Sequence, residues 1–166
     1  MSPRVAAYAV AAGWFGLDRV TKLLIQSNMT PDDVSTVIPG FFNIVYAGNR
    51  GIVFGLMSEG ESEWRAFFLI GLTALVIATV AVVLWQSSPR GLAASRWSRL
   101  GLSLVLGGAL GNLYDRLASG AVTDFLDVYV GGYHWPAFNV ADSGLCIGAA
   151  LILLDIWLSR QEAAKT

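Results

Sequence analysis

Residues 66–85 read AFFLIGLTALVIATVAVVLW, twenty positions without a charge. As a helix this run is long enough to cross a bilayer core of about 30 Å. Trp64 and Trp85 stand at its ends, where an aromatic belt places such rings. Three other apolar stretches are interrupted by polar residues. Residues 5–17 are apolar, then Asp18, Arg19 and Lys22 break the pattern before Leu23, Leu24 and Ile25 resume it. Residues 100–114 and 143–154 are each uncharged, with polar groups crowding their flanks. The pattern predicts four transmembrane helices, at about residues 5–27, 64–86, 98–116 and 137–159.

The connection at 28–63 behaves differently. TVIPGFFNIVYAGNRGIVFGL reads as short strands at 37–38, 41–46 and 52–56 around the turn sequence GNRG. It is too apolar for a free aqueous loop, so a small sheet at the membrane surface is expected there, between the first two helices. Residues 117–136 are expected to form an outer loop between the last two.

Composition supports this picture. The chain has 166 residues, enough for one domain, and is 55% hydrophobic and 14% charged. Its mean hydropathy is +0.58. A soluble domain carries nearer a quarter charged residues, so an integral membrane protein is expected. Four spans put both termini on one side. Arg4, Arg90, Arg96, Arg99, Arg160 and Lys165 gather there, and the positive-inside rule makes it cytoplasmic. Asp32, Asp33, Glu59, Glu61 and Glu63 collect opposite. The N-terminal run has a weak cleavage pattern and polar residues on its far side, so it is read as a retained helix rather than a cleaved signal peptide.

Charge and residue type also exclude functions. Net charge is −1, which gives no sign of a nucleic-acid partner. One Cys (Cys146) and one His (His134) allow no internal disulfide and make a zinc site implausible. No metal or cofactor is expected. There is no G-x-S-x-G elbow to supply a serine for His134. Catalytic chemistry would run most easily on carboxylates.

The predicted topology brings most of the polar residues to the outer membrane edge. Asp18 and Lys22, four apart, lie toward the outer half of the first helix and read most simply as an ion pair. Asn112, Asp115 and Arg116 fall at the outer end of the third, and Asn139 and Asp142 at the outer start of the fourth. Asn112 and Arg116, one turn apart, read as ties between helices, and Gly107 with Gly111 as a close-packing pair. Asp155, near the cytoplasmic end, is expected to be solvated or paired with Arg160. His134 and Trp135 read as interfacial residues. Asp124 and Asp142 are harder to assign to structure. Two carboxylates at one depth in apolar surroundings suit an aspartic-protease pair that shares one proton. A proton or ion pathway through a small transporter would use the same residues, and an assembly subunit held by glycine faces is a third possibility.

Five blocks add a resemblance. DRVTK at 18–22, GNRG at 48–51, GGALGNLYDR at 107–116, VTDF at 122–125 and FNVADS at 138–143 resemble, in order and spacing, those of bacterial lipoprotein signal peptidases, also called signal peptidase II. The resemblance implies an aspartyl endopeptidase of the bacterial cytoplasmic membrane, with four transmembrane helices, both termini cytoplasmic and a small outer sheet, the cradle. Such an enzyme removes the signal peptide from diacylglyceryl-modified prolipoproteins, cutting just before the lipidated Cys. It implies Asp124 and Asp142 as the catalytic pair. Asn49, Gly51, Asn112, Asp115, Arg116, Asn139, Asp18 and Lys22 become substrate-binding or supporting residues. Support is expected of Asp115, and substrate contact of Arg116 and Asn49. Membrane lipid and globomycin-type inhibitors are the other implied partners, and a monomer is expected. One departure stands out. Ile52 and Val53 replace the small residues usual after the Asn49 block, and their bulk bears on substrate and inhibitor range.

Overall fold

Pro3 opens the first helix where a missing N–H costs no bond, and Ser2 caps it by accepting from the Val5 amide. This helix, α1 (Pro3–Asn28), leads into strands β1 (Val34–Ile38) and β2 (Phe42–Asn49). Helices α2 (Ser62–Gln86) and α3 (Arg96–Ser119) follow, then β3 (Val122–Val130), the two-residue β4 (Tyr133–His134) and α4 (Val140–Ala163). This is a computed structural model. It describes residues 1–31, 33–51, 62–86, 93 and 95–163. The strand expected at 52–56, with Ile52 and Val53, lies outside the described residues, as do Asp32, Glu59, Glu61, Arg90 and Lys165 and the side chain of Glu63.

The architecture is mostly helical with one small antiparallel sheet. Among the described residues two helices carry segments long and apolar enough to cross a membrane, Ala66–Gln86 in α2 and Val140–Gln161 in α4. The helix α3 lies against the other three. It buries Leu102, Leu104, Leu106 and Ala109, whereas α2 exposes Phe67, Phe68, Leu72 and Leu75. The most apolar helix is thus the most exposed, an arrangement suited to a hydrocarbon solvent rather than water. The apolar core joins Ala7 and Ala11 of α1, Val80 and Leu84 of α2 and Leu102 and Leu106 of α3.

Glycines set how closely the helices approach. A Cβ at Gly107 would meet the Ala11 carbonyl, one at Gly108 the Ala141 carbonyl, and one at Gly111 the Asp18 carboxylate. Small residues at such interfaces let backbones close up. Gly16, by contrast, has open space around it. Gly111→Ala is therefore expected to lower stability by about 1–3 kcal/mol through overpacking. Gly16→Ala should be neutral or stabilise by up to about 1 kcal/mol through helix propensity. Thermal unfolding of the two variants in detergent compares them.

The sheet corrects two expectations. It does not lie only between the first two helices, because its order is β1-β2-β3-β4 and half of it follows α3. Segment 117–136 is accordingly not a loop: α3 runs on to Ser119, Gly120 ends it with φ 72°, and β3 then pairs with β2. The fourth helix begins at Val140, because Phe138 is extended and bridges Leu126. At the far end of α4, Asp155 accepts from Ser98 Oγ at 2.6 Å. Among the described residues its partner is Ser98, not Arg160.

Candidate active site

The first turn of α4 leaves amides without helical acceptors, and side chains supply them. Asn139 Oδ1 accepts from the Asp142 amide at 2.9 Å, and Asp142 Oδ2 accepts from the Asn139 amide at 3.2 Å. This is a capping box in which Asp142 holds the third helical position. The next free amide, of Ala141, reaches across to Asp18 Oδ1 of α1 at 2.9 Å. The other Asp142 oxygen, Oδ1, accepts from Asn112 Nδ2 of α3 at 2.7 Å. Asp142 is thereby fixed from two helices, at a helix N-terminus whose field favours negative charge.

Asp124 comes from β3, opposite Ala47 of β2. Between that pair and the Ile44–Leu126 pair, β2 spends two residues, Val45 and Tyr46, against Phe125 alone. Such a bulge twists the strand and redirects its side chains. Asp124 Oδ1 accepts from Asn139 Nδ2 at 2.7 Å, and Oδ2 accepts from Asn49 Nδ2 at 2.9 Å. Asn139 Nδ2 also lies 3.3 Å from Asn112 Oδ1. The two carboxylates are thus joined as Asp124–Asn139–Asn112–Asp142. Burial pushes the Asp124 carboxyl up to about 6, against the bond from Asn49 and with help from the Asp142 charge; Asn139 and Lys22 also hold it down.

Gly51 positions Asn49. Its amide donates to Asn49 Oδ1 at 2.8 Å, which leaves Nδ2 for Asp124. The turn needs φ +82° at Gly51, and a Cβ there would collide with Leu69.

A charged layer lies behind the pair. Lys22 Nζ is 2.9 Å from Asp18 Oδ2, 2.9 Å from Asp115 Oδ2 and 3.1 Å from Asn112 Oδ1, with all of its side chain buried. Arg19 pairs with the other oxygen of Asp115 and lies over the Tyr114 ring, 4.3 Å from its centroid. Two cations and two carboxylates balance in this layer, which a low-dielectric interior requires. Asp115 Oδ2 also accepts from the Thr123 amide at 3.3 Å, and Gln26 donates to Thr123 Oγ1 at 2.7 Å. The ion layer therefore anchors the residue immediately before Asp124.

Two clefts open on the pair. One, of about 420 Å³, is lined by Trp135, Phe138, Ser143 and Cys146 and reaches Asp142. The other, of about 320 Å³, is lined by Gly48, Asn49 and Arg50 and reaches Asp124. Pro136 and Ala137 form the ridge shared by both. Arg116 donates to the Asn112 carbonyl at 3.3 Å and lies within electrostatic reach of Asp142, Asp124 and Asp115.

All ten residues singled out in the sequence meet in this one region. Their division of labour differs in detail: Asn112 holds Asp142, while Asn139 and Asn49 hold Asp124. Asn49 was expected to touch substrate; its amide donates one bond to the Asp124 carboxylate. The sequence reading gave no site role to Arg19, Thr123 or Gln26. Arg19 carried a signal, since it follows Asp18 inside DRVTK and a cation so deep in an apolar helix calls for a partner. His134, read as interfacial, also bonds Asp127 through Nδ1 at 2.8 Å. Among the described residues no three His, Cys, Asp or Glu side chains converge as metal ligands would.

A sequence profile for signal peptidase (SPase) II matches residues 10–158. A lipoprotein signal peptidase of Solibacter usitatus is 47% identical over 162 residues, 98% of this chain and 96% of that one. One from Oleidesulfovibrio alaskensis is 41% identical over 158 residues, 95% and 98% of the respective chains. A bacterial membrane enzyme solved by the in meso method at 2.3 Å resolution superposes with a TM-score of 0.79 at 30% identity, covering 95% of this chain and 90% of that one. A second, at 1.9 Å, gives 0.77 at 32% identity over 91% and 92%.

Proposed function

This chain belongs to the signal peptidase II family, and from that premise we infer that it is an intramembrane aspartyl endopeptidase. Its substrates are diacylglyceryl-modified prolipoproteins, cut just before the lipidated Cys. The observation that carries the chemistry is the pair itself: two carboxylates joined through Asn139 and Asn112, each opening on its own cleft.

The pair works with one shared proton. Asp124, whose carboxyl burial lifts to about 6, is the natural holder of it. Asp142, at the helix N-terminus, is the natural carboxylate. Asp142 takes a proton from a water whose oxygen attacks the scissile carbonyl carbon. Asp124 donates to the carbonyl oxygen as charge develops there. Collapse of the tetrahedral adduct breaks the C–N bond as the proton gained by Asp142 passes to the leaving amine, and one hydroxyl proton of the adduct returns to Asp124, restoring the shared proton. The products are a signal peptide with a free carboxylate and a lipoprotein with an N-terminal lipidated Cys. With one proton on the pair, Arg116 leaves the local charge neutral.

In the membrane the four helices span with both termini cytoplasmic, and the sheet and clefts lie at the outer face of the bacterial inner membrane. A monomer suffices, and globomycin-type inhibitors would occupy the pair. The transport alternative has no observation in its favour, since Asp155 is bonded to Ser98 away from the connected cluster.

The titration of Asp124 tests this chemistry. In the free protein its carboxyl should titrate near 6, read by infrared difference spectroscopy against Asp124→Asn. Asn49→Ala removes a bond that favours the carboxylate, so it should move the titration upward. Bound substrate excludes more water and moves it up as well. The kcat profile should then fall at high pH, on a limb above 6, as the pair loses its shared proton. A limb that rises through that region, or a titration unmoved by Asn49→Ala, contradicts the assignment.

A further inference from the structure

A second polar cluster lies on the sheet, outside the pair and its ion layer. Asp127 is buried on β3, three residues from Asp124 and so on the other face of the strand. Asn43, its cross-strand partner on β2, donates Nδ2 to Asp127 Oδ2 at 2.8 Å. His134 of β4 meets the same carboxylate through Nδ1, at 2.8 Å from Oδ1 and 3.0 Å from Oδ2. The His134 ring stacks on Tyr129, centroids 4.9 Å apart, and the Tyr129 hydroxyl accepts from the Gly40 amide at 2.9 Å. Burial pushes the Asp127 carboxyl up, but the bonds from His134 and Asn43 outweigh it and leave it below the ordinary range.

The strand that His134 belongs to is only two residues long, and its ladder holds two pairs, Val130–Tyr133 and Tyr129–His134. Beyond it, the Trp135 amide bonds the Val128 carbonyl at 2.9 Å, and Leu126 bridges Phe138. Between the Tyr129–His134 and Leu126–Phe138 pairs, β3 contributes two residues, Asp127 and Val128, while the returning chain contributes three, Trp135, Pro136 and Ala137. The extra residue makes a bulge, and Pro136 has no N–H to pair. That bulge is the ridge between the two clefts. A two-residue strand specifies its register weakly, and a slip of one would turn its side chains to the other face.

We propose that the Asp127–His134 contact is a positioning pair for the reaction: it pins the register of β4 and with it the Pro136–Ala137 ridge that shapes both substrate clefts. The proposal rests on the peptidase reading for its effect on substrate, but not for its effect on the strand. His134→Phe keeps a ring for Tyr129 and removes the Nδ1 donor. His134→Asn replaces the donor at nearly the same place and removes the ring.

The experiment measures two things on the full chain in detergent. Hydrogen exchange reads the Trp135 and Phe138 amides, and steady-state cleavage of a diacylglyceryl-modified prolipoprotein reads kcat and KM separately. His134→Phe should speed exchange at those amides about tenfold, and raise KM about tenfold with kcat within about twofold. His134→Asn should return both to within about threefold of wild type. Unchanged exchange in a folded His134→Phe variant overturns the proposal, whatever cleavage does. So does a fall in kcat at constant KM, or a His134→Asn variant no better than His134→Phe. If His134→Phe does not fold, the Asn variant decides alone: near wild-type exchange supports the donor's role and tenfold faster exchange rejects it. If wild type does not cleave while exchange behaves as stated, the peptidase reading fails and the strand clamp stands.

Discussion

Asp124→Asn and Asp142→Asn should each remain folded and lose at least about 10³-fold in kcat. Asn keeps the shape of the carboxyl group but removes the charge at position 142 and the exchangeable acid proton at position 124. In the proposed mechanism the pair acts as a unit with one proton, so the loss of one partner should not be compensated by the other. For the same reason the double variant should be little worse than either single one. The neighbours make folding worth checking. Asp142 uses both oxygens as acceptors, from Asn112 and from the Asn139 amide, and an Asn there turns one acceptor into a donor. Asp124 likewise accepts from Asn139 and Asn49. Circular dichroism and size-exclusion chromatography in detergent separate a dead enzyme from an unfolded one. Activity within tenfold of wild type in either folded variant would reject that aspartate.

The largest stability effect is expected at Lys22. Lys22→Met should lower stability by about 3–5 kcal/mol, because it strands buried carboxylates. Asp18 loses its only charged partner among the described residues, and Asp115 keeps Arg19 alone. Asn112 Oδ1 loses a donor too, so the strain reaches the side chain that holds Asp142. Adding Asp18→Leu to Lys22→Met should recover part of the loss, since an apolar pair of similar volume often replaces a buried ion pair at little cost. Recovery should be incomplete, because the Ala141 amide then has no acceptor. Arg19→Leu should cost less than Lys22→Met, as its side chain keeps 15% exposure and Lys22 still holds Asp115. Thermal unfolding of the three variants ranks them. A Lys22→Met protein as stable as wild type would mean that the layer is not the internal tie described.

How much of this was legible in the sequence depends on distance along the chain. Helices rest on contacts four residues apart, so the uncharged run at 66–85 sufficed to announce α2. The block FNVADS holds the capping box of α4 in full, with Asn139 and Asp142 at cap spacing. The sheet was harder, because strand pairing is non-local. Nothing within residues 117–136 says that β3 will pair with β2, some eighty residues earlier, as in Asn43–Asp127. The sequence therefore suggested a loop. The same distance hid Arg19, whose partner Asp115 comes from another helix; His134 and Asp127 are close in sequence, and their bond was hidden because only the hairpin of β3 and β4 turns the two side chains together. That the ten candidate residues would gather in one region was legible for a different reason. Polar groups in apolar surroundings demand partners, and the family's blocks supplied the set.

Purified wild-type protein and Asp124→Asn are incubated with a diacylglyceryl-modified prolipoprotein and with the same precursor lacking the lipid, and the products are weighed by mass spectrometry. The expected result is one cut by wild type in the lipidated precursor, a new N-terminus at the lipid-bearing Cys, and no product from Asp124→Asn. An intact lipidated precursor after incubation with folded wild type, a cut at another bond, or undiminished cutting by Asp124→Asn would contradict it.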